Sequence, residues 1–381
     1  MMRLALDVSA VPARPVGAGV YTVNLVRALS ALGEADLHLV ARRGDATRWE
    51  EAAPQATCHP AVPVSRPARL AWEQARAGRL AARLGVDVWH GPHYTLPLRL
   101  AGPGVVTIHD LTFFDHPEWH ERSKVVFFRP MIRAAVARAA ALVAVSAATA
   151  EALSDVLAPE APVLTIPHGV DHGRFRPPAP GSGADDLRLL AGLGVRPPYV
   201  TFVGTMEPRK AVPTLVDAFA RLAVDRPELR LVLAGRDGWG TEAVRAAVAA
   251  GGVATRVVRV RWVPDDALPA LFRQAAVVAY PSLEEGFGLP ALEALACGAA
   301  LVTTAGSPMA AVAGEAALVV PPGNVGALTW ALCRVLDDPG VAARLRRAGP
   351  EAASTYTWEA SAKAHLEAYR LAAWRGPRPT K

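Results

Sequence analysis

Two carboxylates, Glu285 and Glu293, stand with seven residues between them, two of these glycines, in Tyr280-Pro-Ser-Leu-Glu-Glu-Gly-Phe-Gly-Leu-Pro-Ala-Leu-Glu-Ala-Leu-Ala-Cys-Gly. An apolar run ends at Tyr280, and a loop follows it. Pro290 falls where the first residue of a helix belongs, a place that suits a residue lacking an N–H. Gly286 and Gly288 let the backbone approach a ligand closely, with Phe287 and Leu289 beside them. A helix start of this kind favours a phosphate. Glu293 then belongs to the first turn of the helix and Glu285 to the loop before it. Both would repel a phosphate unless they face something else, and sugar or ribose hydroxyls are hydrogen-bond donors that fit. Taken singly, Glu285 reads as a solvated loop residue and Glu293 as an acid favoured by the helix dipole. Their joint pattern with the glycines and the proline is far harder to obtain by chance.

A second loop, Gly204-Thr-Met-Glu-Pro-Arg-Lys, follows the apolar run Tyr199–Val203. Arg209 and Lys210 bring two positive charges to the start of a helix, where the dipole disfavours cations unless an anion is their partner. Arginine grips phosphate in bidentate fashion and lysine acts as a point charge. In the first half, the run Val105–Ile108 delivers His109 and Asp110. Asp110 is read as orienting His109 or a loop amide. Gly17 and Gly19 lie after the first apolar run, where the backbone can approach an acceptor or a phosphate. Thr22 occupies the last glycine position of a G-x-G-x-x-G, which weighs against a nicotinamide dehydrogenase. Ser146 reads as a helix cap.

These loops need elements to hold them. Short apolar runs alternate with segments of helical period from residue 2 onward. Met2–Val8, Leu37–Ala41, Val86–Trp89, Val105–Ile108, Ala141–Val145 and Val163–Ile166 read as strands, with a helix over Val20–Leu32. The pattern restarts with Tyr199–Val203, Leu229–Ala234, Val257–Trp262, Ala276–Tyr280, Ala300–Thr303 and Ala317–Val320. Strands separated by helices imply parallel sheets with helices on both faces. The chain thus reads as α/β, two doubly wound Rossmann-like domains facing a cleft. Their expected spans are 1–176 and 198–357, with 177–197 as a linker rich in loop formers. Open parallel sheets bind ligands at the carboxyl ends of their strands, so the loops above are where chemistry belongs.

The 381 residues suit two domains, and 51% hydrophobic with 20% charged content describes a globular chain. Three scattered cysteines, Cys58, Cys297 and Cys333, argue against a disulfide framework and suit a reducing cytosol. No D-x-D triplet occurs, so no metal requirement is expected. His90, His93, His116 and His120 cluster in the first half without a carboxylate or cysteine to complete a ligand set. The net charge of +6 comes with no nucleic-acid-binding signature. The segment Arg122–Arg138 mixes basic and apolar residues. It reads either as a helix packed on the sheet or as an attachment to anionic lipid at the inner membrane face. The start of the chain is not a signal peptide, so a cytoplasmic enzyme is expected.

Taken together, these segments resemble the retaining glycosyltransferases of family 4, which have the two-domain GT-B fold. The resemblance rests on Gly17-Ala-Gly-Val-Tyr, Ile108-His-Asp, Val145-Ser-Ala-Ala-Thr, Ile166-Pro-His-Gly-Val-Asp, Gly204–Lys210, Ala234-Gly and Glu285–Glu293, with Trp358 near the last helix. It implies that the first domain binds the acceptor, that the second binds a nucleotide sugar, and that a final helix, 358–375, returns to the first. Glu285 would contact hydroxyls of the donor sugar and Glu293 the ribose. Gly286, Phe287, Gly288 and Leu289 would present amides to the sugar and diphosphate. Lys210 matches the family's phosphate-binding lysine, and His109 would lie beside the donor sugar. Many members carry an arginine directly after the glycine that corresponds to Gly204; here that residue is Thr205, and Arg209 is the neighbouring cation. The implied activity is transfer of a hexose, mannose favoured, to a glycan, lipid-linked or small-molecule hydroxyl without a cofactor. A sugar-nucleotide epimerase or hydrolase of the same fold and a non-catalytic nucleotide-sugar sensor are the competing readings.

Overall fold

Leu4 and Leu6 pack into one buried cluster and Ala5, between them, into another, all three without solvent exposure. A strand covered on both faces carries a continuous apolar run rather than an alternating one, which is why these runs were legible. The computed structural model describes residues 1–179 and 181–377. Among them, Met2–Asp7 (β1), Ala35–Arg42 (β2), Thr57–Val62 (β3), Val88–Gly91 (β4), Gly104–Ile108 (β5), Ala141–Ala144 (β6) and Val163–Thr165 (β7) pair in parallel. They form a seven-stranded sheet in the order β3-β2-β1-β4-β5-β6-β7. β3 escaped the sequence reading because Pro60 interrupts it. An edge strand tolerates proline, since one side of its ladder is unpaired.

Tyr199–Val203 (β8), Arg230–Ala234 (β9), Val257–Val260 (β10), Val277–Tyr280 (β11), Leu301–Thr304 (β12) and Ala317–Val320 (β13) build a second parallel sheet among the described residues. Its order is β10-β9-β8-β11-β12-β13. In each sheet the order of strands reverses once, between β1 and β4 and between β8 and β11. At such a point the loops leave in opposite directions and open a crevice at the carboxyl ends.

Met1–Gly169 with the chain from Trp358 onward forms one unit, and Val170–Thr357 the other. The helix Trp358–Arg375 packs against the helix Ala18–Leu32 within the first unit. The division falls before residue 176, because the backbone of Val170 donates to the carbonyl of Tyr356 and pairs with Thr357. Hydrogen-bond partners, not the proline-rich composition that follows, decide which unit owns this segment. The expected linker 177–197 is corrected as well: it contains the helix Gly183–Gly192, whose Leu190 is fully buried. Asp186 of that helix accepts from Arg273 Nε at 2.7 Å and pairs also with its Nη2. Pro180 of the same stretch lies outside the described residues. Among the described residues no helix is long and apolar enough to cross a membrane.

Candidate active site

The loops after β8 and β11 flank the point where the strand order of the second unit reverses, and their charged side chains meet there. Arg209 Nη1 donates to Glu285 Oε2 at 2.6 Å, and Lys210 Nζ pairs with Glu285 Oε1. Ser282 Oγ donates to the same Oε1 at 2.9 Å, and Arg209 Nε donates to Glu207 Oε2 at 2.9 Å. The backbone joins the loops too, since Leu283 N donates to the carbonyl of Arg209 at 2.8 Å. Glu285 is buried, which by itself would raise its pKa, but Lys210 and Arg209 outweigh this and hold it at about 2. Burial and the neighbouring Arg209 pull Lys210 below its ordinary value, while Glu285 and Glu207 oppose them. Two cations are thus matched by two carboxylates.

Glycines make this meeting possible. A Cβ on Gly235, at φ +123°, would sit 2.2 Å from the carbonyl oxygen of Gly204. Gly238 and Gly240 lie similarly tight against the carbonyl of Met206, to which Gly240 N donates at 2.9 Å. The loop Gly204–Lys210 is thus laid directly on the loop that follows β9. Gly288 has φ +96°, and a Cβ there would reach 2.2 Å from Met309 Cγ. It stands before the helix Leu289–Ala296, with Gly286, Phe287 and Leu289 buried around it.

Two details of that helix differ from the sequence reading. Pro290 is its second residue rather than its first, a position that also needs no N–H partner. Glu293 is its fifth and opens the second turn, so the helix start does not account for it. Burial raises the Glu293 pKa to about 8, with Arg174 lowering it and Asp265 raising it. Arg174 donates to Asp265 through Nε to its carbonyl, at 3.0 Å, and through Nη2 to its carboxylate, at 3.2 Å.

In the first unit His109 follows β5 and is almost wholly buried. Its Nε2 lies 2.9 Å from the carbonyl of Pro92. A carbonyl only accepts, so Nε2 carries the proton; burial lowers the pKa and keeps the ring neutral, with its lone pair on Nδ1. Asp110 does not bond His109. It accepts from the hydroxyl of Thr112 at 2.8 Å and from its amide at 3.3 Å, tying the turn after the strand. Gly17 adopts φ +50° before the helix Ala18–Leu32, with open space where a Cβ would stand. Gly19 is buried against Pro12 and Pro15. Ser146 caps its helix by accepting from Thr149 N.

The histidines considered as metal ligands go separate ways. His90 bonds Thr107 and Tyr369, His116 bonds Glu118 and stacks on Trp119, and His120 bonds Thr112 and stacks on Phe113. Among the described residues no group of three metal-ligating side chains converges.

Comparison with known proteins identifies the family. Residues 15–174 match the model described as Glycosyltransferase Family 4, and residues 197–338 the model described as Glycosyl transferases group 1. A D-inositol 3-phosphate glycosyltransferase of Actinosynnema mirum is 31% identical over 310 residues, covering 78% of this chain and 70% of that one. The chain belongs to the family 4 glycosyltransferases. The O-antigen chain mannosyltransferase B of Escherichia coli is 29% identical over 287 residues, 74% of each chain. Against other D-inositol 3-phosphate glycosyltransferases the matched stretch spans about half of their length. The Anabaena protein HepE, solved in complex with UDP-glucose, superposes with a TM-score of 0.76 at 20% identity, over 96% of this chain and 99% of that one. The fold is GT-B.

Several residues of this glycosyltransferase escaped the sequence reading. Glu207 and Ser282 complete the Arg209–Glu285 cluster, and the carbonyl of Ser282 is fixed by Thr304 Oγ1 at 2.6 Å. A serine three residues before a glutamate is too common to signal anything. Tyr21 closes the Gly17-Ala-Gly-Val-Tyr motif, and its ring stands nearly perpendicular to that of His109 with centroids 5.2 Å apart.

Proposed function

We propose that this glycosyltransferase moves a hexose, mannose favoured, from a nucleoside-diphosphate sugar to a hydroxyl of a glycan, lipid-linked or small-molecule acceptor, with retention at the anomeric carbon. The observation that carries the reading is the convergence of Arg209, Lys210 and Glu285 at the reversal of the second sheet. An entering diphosphate would draw Arg209 and Lys210 from Glu285. The carboxylate oxygens so released are acceptors for sugar hydroxyls, and the two cations stabilise the departing diphosphate electrostatically. Until the diphosphate draws them away, Lys210 and Arg209 hold the buried Glu285 carboxylate ionised. Glu293 takes the ribose, the amides of Gly286–Leu289 the sugar and diphosphate, and neutral His109 the donor sugar through Nδ1. Positioning and charge stabilisation supply the rate, and no metal or cofactor is required. The mannosyltransferase relative supports the sugar, and HepE, of the same fold, supports a nucleotide-sugar donor.

The acceptor belongs to the first unit, where Gly17 leaves room for it. Attachment to an anionic membrane draws less support. In the helix Arg122–Arg138, Arg129 donates to the carbonyls of Phe113 and Phe114, Arg138 to that of Leu98, and Lys124 to Glu121. The test is thermal stabilisation by a panel of nucleoside diphosphates and their sugars, followed by NMR of the product anomer. Stabilisation by GDP above UDP and an α-linked product from an α-linked donor are expected. An inverted product overturns retention. Release of nucleotide at the same rate with and without acceptors favours the hydrolase, and binding without turnover the sensor.

A further inference from the structure

Tyr21 is the point at which two sets of buried contacts meet in the first unit. Its ring lies 5.2 Å from that of His109, edge to face, and 4.7 Å from that of His168. Its hydroxyl is 2.9 Å from Thr107 Oγ1 and 2.9 Å from His365 Nε2. Past Thr107 the contacts continue: His90 Nε2 is 2.8 Å from Thr107 Oγ1, and the Tyr369 hydroxyl is 2.8 Å from His90 Nδ1. Past His365 they end, with Nδ1 2.7 Å from the carbonyl of Ser361. Tyr21, His90, Thr107, His365 and Tyr369 have no solvent exposure.

One carbonyl fixes the direction of every bond in this chain. Ser361 O can only accept, so His365 Nδ1 carries a proton. Burial keeps His365 neutral, its pKa lowered to about 4, so its Nε2 presents a lone pair. Tyr21 must therefore donate to His365, which leaves its oxygen to accept from Thr107. The Thr107 proton is then spent, so His90 Nε2 must donate to Thr107. His90 is also neutral through burial, so its Nδ1 accepts from Tyr369. Each proton has one place, and no two lone pairs face each other. A buried polar chain satisfied in one arrangement only is rigid, because any reversal strands a donor or an acceptor away from water.

We infer that Tyr21 is a positioning residue for His109, and that the C-terminal helix Trp358–Arg375 anchors it through this one-way chain. Thr107 precedes His109 by two residues, so the chain also grips the strand that delivers the imidazole. With Nε2 held by Pro92 and the ring braced by the nearly perpendicular ring of Tyr21, the lone pair of Nδ1 has one direction. A hydroxyl that donates to it meets an acceptor already oriented. The effect on transfer rests on the role proposed above for His109; the effect on the imidazole itself does not.

The experiment compares His365→Gln with His365→Leu, and adds Tyr21→Phe. Glutamine reaches the position of Nε2 with an oxygen that accepts the Tyr21 proton; leucine fills the space and accepts nothing. Nitrogen-15 shifts of the His109 ring report where its proton sits, assigned by their loss in His109→Ala. Wild type and His365→Gln should show one neutral tautomer protonated at Nε2. His365→Leu and Tyr21→Phe should show the same tautomer, still held by the Pro92 carbonyl, with displaced and broadened ring shifts from a loosened imidazole, kcat lowered about tenfold and donor KM within about twofold of wild type. Unchanged His109 shifts and kcat in either of the latter two variants, with native near-UV circular dichroism, overturn the inference. Tyr21→Phe deletes a single oxygen and carries the test should leucine at 365 fail to fold. A wild type without transferase activity overturns the proposed function, while the nitrogen shifts still decide the role of Tyr21.

Discussion

Arg209 Nη1 lies 2.6 Å from Glu285 Oε2, joining two loops 76 residues apart in the chain. Neighbouring strands at a reversal of sheet order send their loops to one place, so distant residues of opposite charge meet without any local signal. Lys210 pairs with the other oxygen of the same carboxylate, whose side chain is only 5% exposed. Glu285→Gln therefore leaves two like charges facing each other with little water. Urea denaturation should show a loss of about 3 kcal/mol, the cost of stripping one partner from a buried ion pair. Nucleoside diphosphate should bind at least as tightly as to wild type, because the cations lose their internal competitor, while sugar transfer falls. Weaker diphosphate binding would contradict the cluster's proposed role.

Acid should weaken the two units in different ranges. His90, His93, His109, His168 and His365 all lie in the first unit, and burial lowers each pKa, to about 3 for His93 and about 4 for His365. The unfolded chain takes up protons at these sites below the ordinary value of 6.5 while the folded one does not, so stability falls as pH drops through 6.5. Each contributes up to about 1.4 kcal/mol per pH unit there. The contribution of Glu285 to the second unit, with a folded pKa of about 2, is kept until pH falls below its ordinary 4.5. Hydrogen exchange followed by mass spectrometry at pH 5 should show the first unit opening sooner than at pH 7, and the second opening less readily, because its buried Glu293 keeps a proton that the unfolded chain releases above 4.5.

Glu293 has the opposite sign. Its folded pKa of about 8 lies above the unfolded 4.5, so the folded state holds a proton that the unfolded state has lost, and stability declines as pH rises between them. Glu293→Gln removes this cost, and at pH 8 should stabilise the protein by about 2 kcal/mol in urea. Affinity for nucleoside diphosphates should drop, with less effect on inorganic pyrophosphate, since the residue is proposed to hold the ribose. A destabilised variant would refute the assignment of cost to this carboxyl.

Two glycines should respond differently to alanine. At Gly235 the added Cβ meets the carbonyl of Gly204, which cannot swing aside. At Gly288 it meets the side chain of Met309, which can. Gly235→Ala should lower the melting temperature sharply and abolish diphosphate binding. Gly288→Ala should be recovered in part by Met309→Ala, leaving about 1–2 kcal/mol for the left-handed backbone. Equal damage from both without any recovery would show that backbone strain alone governs the second site.

Vesicles of phosphatidylglycerol at 0.15 M salt should sediment no more protein than neutral vesicles. Arg129 and Arg138 are held by backbone carbonyls, and Phe128, Ile132 and Val136 of the same helix are buried in the core of the first unit. At that ionic strength the screening length is about 8 Å, so loosely placed surface charges add little. Saturable binding above the neutral control would favour the membrane reading.

Glu285 and Lys210 stood out in the sequence because they sit in glycine- and proline-marked loops at the ends of apolar runs, where charged residues suit an anion and hydroxyls. The two sheets were visible because parallel strands buried on both faces leave unbroken apolar runs. What the sequence by itself determined is thus the architecture and the loops that carry chemistry. Tertiary structure alone decided that Glu207 and Ser282 join them, that Glu293 carries a proton near neutrality, and that residues 183–192 form a helix of the second unit. It alone decided that Tyr21 answers to His365, 344 residues away. Charge states and hydrogen-bond partners depend on which distant groups share a buried space, and no spacing along the chain encodes that distance.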